Sequence, residues 1–132
     1  MSYREAELLR DRALRMLDSA KRSLASHDYD IAAFMADQSL QLSLKSRIFD
    51  LTGEIPRVHS VRQLLHFLGT TLGESDDVED FIKKNRSLLI RLEDAYINSR
   101  YVPREYERDE VEELVKFAEE AVEFVKHLER KT

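Results

Sequence analysis

Apolar residues recur along this chain at helical spacing, and the most informative stretch runs from Asp30 to Leu51. At about 100° per residue, Ala33, Leu40, Leu44, Ile48 and Leu51 fall on one face, while Ile31, Phe34, Met35, Leu42 and Phe49 gather on nearly the opposite one. A helix apolar on two sides is buried between layers, so this segment is expected to be the central helix of a bundle. Within the second face Gln38, Gln41 and Lys45 form a polar ridge at i, i+3 and i+7. A buried amide without partners costs on the order of 2–7 kcal/mol. Something must therefore face the ridge: another part of the chain, a second subunit or a ligand. Asp37, inside the first apolar arc, has no assignable role from sequence.

The other elements follow from the same periodicity. Ala6, Leu9, Ala13, Leu17, Ala20 and Leu24 predict a first helix from about Tyr3 to Ser26, and the short joint at His27-Asp28 predicts that it packs antiparallel to the central one. Asp28 is a candidate N-cap. Gly53 and Pro56 stop the central helix. Ser60 with Gln63 reads as a capping box for a short third helix with Val61, Leu64, Leu65 and Leu68 inward, and Gly69 to Ser75 as a loop. Asp76 and Glu79 predict a second box and a fourth helix reaching about Asn98, with Val78, Ile82, Leu89, Leu92 and Tyr96 inward and Asn85 interrupting the stripe. Pro103 sets a boundary. Asp109 with Glu112 then starts a last helix to about Arg130. The expectation is all-α: an up-and-down four-helix-bundle core with one extra short helix, in a single domain over 1–132.

Composition narrows the chemistry. No run approaches about 18 consecutive apolar residues, and the N-terminus lacks the apolar centre of a signal peptide, so the chain reads as cytoplasmic and free of membrane segments. There is no Cys, hence no thiolate or disulfide chemistry. The net charge of −5 argues against clamping a nucleic-acid backbone generally, and no DNA binding is expected. Charge is uneven, however. Acids outnumber bases two to one from Glu105 onward, whereas Lys45, Arg47, Arg57, His59, Arg62 and His66 make a basic island. The three glycines are isolated, so no phosphate loop is present, and no nucleophile elbow or zinc-protease pattern occurs. The four scattered histidines lack acidic partners at ligand spacing; neither a metal nor another cofactor is expected. In Tyr96-Ile97-Asn98-Ser99-Arg100-Tyr101, two tyrosines flank an arginine, which fits ordinary packing at a bundle rim or a base-stacking, phosphate-pairing group.

Taken together, Asp28-Tyr29-Asp30-Ile31-Ala32-Ala33-Phe34 with Gln38, Gln41 and Lys45, then Pro56-x-x-His59 with Leu64-Leu65, then Ser99-Arg100-Tyr101, resemble in order and spacing the signatures of HEPN domains (higher eukaryotes and prokaryotes nucleotide-binding), closest to the stand-alone prokaryotic type of the sacsin-like branch. The resemblance implies a homodimeric helical bundle working around nucleotides or RNA, in many cases beside a small nucleotidyltransferase in a toxin–antitoxin module. Carried over by position, Gln38, Lys45, His59, Arg100 and Tyr101 are the matching ligand-site candidates, with Gln41 on the same ridge. Two departures count against catalysis. Gln41 stands where the family commonly has Glu, which removes a charge and any general-base role, and no His follows Arg100 at the four-to-six-residue spacing of the ribonuclease branch. Arg22 and His27 fit that bare spacing, but at the end of the first helix. A binding or regulatory protein without catalytic residues is the expectation. A metal-independent ribonuclease toxin using His59 and Arg100, and a ligand-free dimeric interaction module, are the alternatives.

Overall fold

The central helix forms where the apolar pattern requires it. In the computed structural model, which describes residues 3–129, α1 (Tyr3–Ala25) and α2 (Tyr29–Thr52) pair most extensively, and α2 also packs on α3 (Val61–Leu72), α5 (Arg86–Tyr101) and α6 (Arg108–His127). Ala33, Leu40, Leu44 and Ile48 of α2 are fully buried. The opposite apolar side is less covered: Phe34, Met35, Leu42 and Phe49 are half-buried and Ile31 is exposed.

A second buried line on α2 consists of small residues, Ala32, Ala36, Ser39, Ser43 and Ser46, at alternating spacings of four and three. Ala6, Ala13 and Ala20 repeat every seventh position on α1 and are buried as well. Ala6 and Ser46 border one crevice, so the start of α1 lies beside the end of α2 and the pair is antiparallel as expected. Small side chains on both helices let their backbones approach closely. Two of the three serines are satisfied within their own helix: Ser39 Oγ donates to Ala36 O at 2.8 Å and Ser46 Oγ to Ser43 O at 2.8 Å.

Helix ends follow the sequence in part. His27 takes a left-handed conformation (φ 67°) and reverses the chain after α1. Asp28 occupies the N-cap position of α2 without a side-chain capping bond. Gly53 (φ 80°) closes α2 as predicted, its N–H donating to Phe49 O at 2.8 Å. Ser60 Oγ accepts from Gln63 N–H at 3.3 Å and opens α3. That helix continues through Gly69 to Leu72 instead of ending before a loop, because Gly69 serves a close helix approach: a Cβ there would stand 2.9 Å from Val78 Cβ.

The single fourth helix expected from Asp76 to Asn98 is two helices, α4 (Ser75–Lys84) and α5, with Glu74 rather than Asp76 at the N-cap position. Asn85 makes the break. Its backbone N–H and its side-chain Nδ2 both donate to Phe81 O, at 3.1 and 2.9 Å, and its own C=O accepts from Leu89 N–H. A side chain that competes for the turn's carbonyl ends one helix and starts the next. The last helix begins with a capping box between Glu107 and Glu110 rather than Asp109 and Glu112. Its expected end at Arg130 lies outside the described residues. Arg47 Nη1 donates to Val125 O (2.8 Å) and Leu128 O (2.6 Å), placing a cation on the negative end of α6. The described residues thus form an all-α bundle of six helices, and no helix among them is long and apolar enough to cross a membrane.

Candidate functional site

Asp37 is the least expected residue of the core. It is 0% exposed, between α2 and its neighbours. One carboxylate oxygen, Oδ2, accepts from Gln41 Nε2 at 2.6 Å and from Gln38 Nε2 at 3.3 Å; the other, Oδ1, is buried without a hydrogen-bond partner. Burial pushes its pKa up from 3.8 to about 7, against the two glutamine bonds that hold it down; Glu93 raises it further and Lys45 lowers it. The polar ridge therefore faces the chain's own carboxyl group on one side. This arrangement is local: Asp37 and Gln41 are one helical turn apart.

Gln41 extends the network outward. Its Oε1 lies 3.4 Å from His59 Nδ1, a long hydrogen bond in which the ring N–H donates, since the amide's NH₂ is engaged by Asp37. That polarity leaves the lone pair of neutral His59 on Nε2. The loop carrying His59 is pinned just beyond it. Arg62 forms a two-pronged pair with Glu93 of α5 (Nε to Oε2 2.8 Å, Nη2 to Oε1 2.9 Å), and Ser60 Oγ donates to the same carboxylate at 3.1 Å.

Tyr96 is the platform of the site. His59 stacks on its ring at 4.9 Å between centroids, Phe34 at 6.4 Å, and the Arg100 guanidinium carbon lies 4.8 Å from the ring centroid. The His59 pKa is lowered, by partial desolvation first and then by the charges of Lys45 and Arg100. Lys45 is also lowered by burial, with Asp37 acting in the opposite sense. Among the described residues neither Lys45 nor Arg100 is in a salt bridge, whereas the neighbouring Arg62 is held by Glu93. His59 and Arg100 thus meet at the Tyr96 ring, and the Lys45 charge acts on the same histidine.

The structure links Gln38, Gln41, Lys45, His59 and Arg100 through Asp37 and Tyr96, and the ring that meets His59 and Arg100 is Tyr96 rather than Tyr101. Tyr101 is 73% exposed and borders a crevice with Arg100, Asn98, Pro103 and Tyr106. Spacing could have separated the two tyrosines: on a helix Tyr96 and Arg100 at i, i+4 share a face, and adjacent residues such as Arg100 and Tyr101 do not. Asp37 and the Arg62–Glu93 pair also escaped the sequence reading. Among the described residues no group of three His, Cys, Asp or Glu could hold a metal ion.

A helical bundle with this polar network on its central helix defines a class, and the class has a family: the model of the HEPN domain matches residues 6–128. The chain belongs to the HEPN domain family. Searches of curated proteins and of solved structures return no match.

Proposed function

We propose that the chain is a nucleotide- or RNA-associated binding or regulatory protein, acting through an anion site made by Lys45, Arg100 and His59 around the Tyr96 ring. The observation that carries this reading is that His59 and Arg100 meet at the Tyr96 ring, that the Lys45 charge acts on the same histidine, and that neither Lys45 nor Arg100 is in a salt bridge among the described residues. The carboxyl group nearest in its effect on Lys45, Asp37, is largely protonated below about pH 7. A phosphate would answer the unbalanced charge, and an aromatic ring beside it suits a base. The partner that fits is a small nucleotidyltransferase in a toxin–antitoxin-type module. Calorimetry with ribonucleoside monophosphates tests the site. Lys45→Met and Arg100→Met should each weaken binding by about tenfold or more, since a charged hydrogen bond contributes about 1.5–3 kcal/mol, while thermal stability is kept or raised. Loss of stability in both variants with no binding to wild type would mean that the chain's own groups satisfy these cations, and the nucleotide reading would end.

The same cluster favours a second reading, a metal-independent ribonuclease. His59 and Arg100 both lie against the Tyr96 ring, so two separate segments would supply the general acid/base and charge-stabilising pair missing from the sequence motif. The first reading expects mixed RNA to survive incubation in EDTA. Cleavage that disappears in His59→Ala would replace it with the second.

The protein is proposed to act as a homodimer. Ile31, Ile97, Tyr101 and Val102 are 46, 49, 73 and 49% exposed near the α2 start and α5 end, apolar surface beside the site that a second copy would cover. Light scattering at micromolar concentration should give twice the 15.5 kDa chain mass; the monomer mass would refute it.

A further inference from the structure

On other residues of the bundle, α4 and α6 meet through side chains without close backbone approach: no Cα of one comes within 8 Å of a Cα of the other. Phenylalanines fill the gap. The Phe81 and Phe124 rings stack at 4.0 Å and 6° between planes, and Phe117 lies beneath, 6.0 Å from Phe81 and buried. Phe81 and Phe124 remain half-buried, so they form the floor of an open trough of about 590 Å³. Packed helices ordinarily bring their axes to about 8–10 Å. A wider separation floored by stacked rings is a groove in which apolar surface stays in contact with water.

The edges of the trough are anionic. Asp77 and Asp80 stand on the α4 side, Glu120 and Glu123 on the α6 side, all exposed. Lys84 and His127 are the basic residues at the rim, and His127 is engaged with Glu123 at 3.1 Å. Such a groove disfavours a nucleotide, whose phosphates would meet four carboxylates. An uncharged apolar segment would leave those carboxylates partly desolvated and unpaired. A segment with apolar side chains along its centre and cations along both flanks satisfies floor and edges together. An α-helix, about 10 Å across with its side chains, presents that pattern on one face.

We propose that the α4–α6 groove docks a basic amphipathic helix of a partner protein, its apolar side chains on Phe81 and Phe124 and its Lys or Arg residues on Asp77, Asp80, Glu120 and Glu123. None of these residues belongs to the Tyr96 cluster. The groove stands whether or not the nucleotide site does.

The probe is a fluorescein-labelled helical peptide of about 16 residues, with Leu and Phe at i, i+4 and i+7 and Lys and Arg on both flanks. A control of the same composition has its apolar stripe scrambled. Anisotropy should show saturable binding of the striped peptide to the full chain and roughly tenfold weaker binding to the double variant Asp77→Lys/Glu120→Lys, whose exposed positions leave the core untouched. Amide chemical shifts should move along 77–84 and 120–128 and stay in place at Lys45, His59 and Arg100. Equal binding of the scrambled control, displacement of the striped peptide by equimolar spermidine, or affinity unchanged in the double variant would each overturn the proposal, the first two by showing charge attraction alone.

Discussion

Asp37→Asn should stabilise the protein above neutral pH and flatten its pH dependence. The carboxyl group has a pKa of about 7 in the folded chain against 3.8 when unfolded, with burial as the main cause. The folded state therefore holds a proton that the unfolded chain releases between those two values. Where the folded state binds more protons, stability falls as pH rises. The contribution is fully present below about pH 3.8, declines through the window between, and is lost once pH passes about 7. Asparagine resembles the protonated acid. It keeps an oxygen to accept from Gln41 and Gln38, and it carries no charge to desolvate. The variant should match wild type in acid and exceed it at pH 8 or above by an amount on the order of 2–4 kcal/mol, the upper figure being the full shift converted at 1.36 kcal/mol per pKa unit. Urea denaturation followed by circular dichroism across that range measures the difference. Parallel curves for the two proteins would show that Asp37 is not the titrating group. Glu93 and Lys45 pull the group in opposite directions, so neither alone imitates the effect.

A buried acid that costs stability is the kind of local conflict that accumulates at functional sites. Its placement also bears on Lys45. When Asp37 is protonated it no longer offsets the ammonium charge, and an anion at the site gains what the carboxylate gives up. The Asp37 carboxylate and the proposed phosphate are alternatives for the same cation, so the proton on Asp37 and the phosphate favour each other.

The bundle was legible because large apolar residues carry a period, and the parts that were not legible lack one. Leu40, Leu44 and Ile48 announced the core of α2. Ser39 and Ser46 did not, since a serine in a sequence reads as surface and only its bond to the preceding turn lets it be buried. The break at Asn85 was hidden for the opposite reason. Val78, Ile82, Leu89 and Leu92 keep an almost unbroken helical register across it, so periodicity continued where the backbone did not. At the site, Lys45, His59 and Arg100 were named by family signatures, while Tyr96, which gathers two of them, was passed over for Tyr101. The choice between the tyrosines depended on which face of α5 meets the loop at His59. That is a tertiary fact, decided by Glu93 holding Arg62 and Ser60.

Gly69 supplies the second large effect, because its role reverses between sequence and structure. As a loop residue it would tolerate alanine, and inside a helix alanine should even help by about 1 kcal/mol. In the folded chain the added Cβ would lie 2.9 Å from both Cβ and Cγ2 of Val78 and 3.3 Å from Cγ1. Val78 is fully buried, and its Cβ is fixed to the α4 backbone, so no rotamer change removes the contact. α4 must move away from α3, and overpacking of this kind costs about 1–3 kcal/mol, more than the propensity gain. Gly69→Ala should therefore destabilise. Val78→Ala deletes both γ-methyls but retains Cβ, so Gly69→Ala should cost less in that background without becoming neutral. A double-mutant cycle in urea reads this directly: costs that simply add would mean that the helices are not in contact at this point. Displacing α4 also shifts Phe81 and Asp77, so the single variant should bind the basic peptide less tightly than wild type under conditions where both are folded.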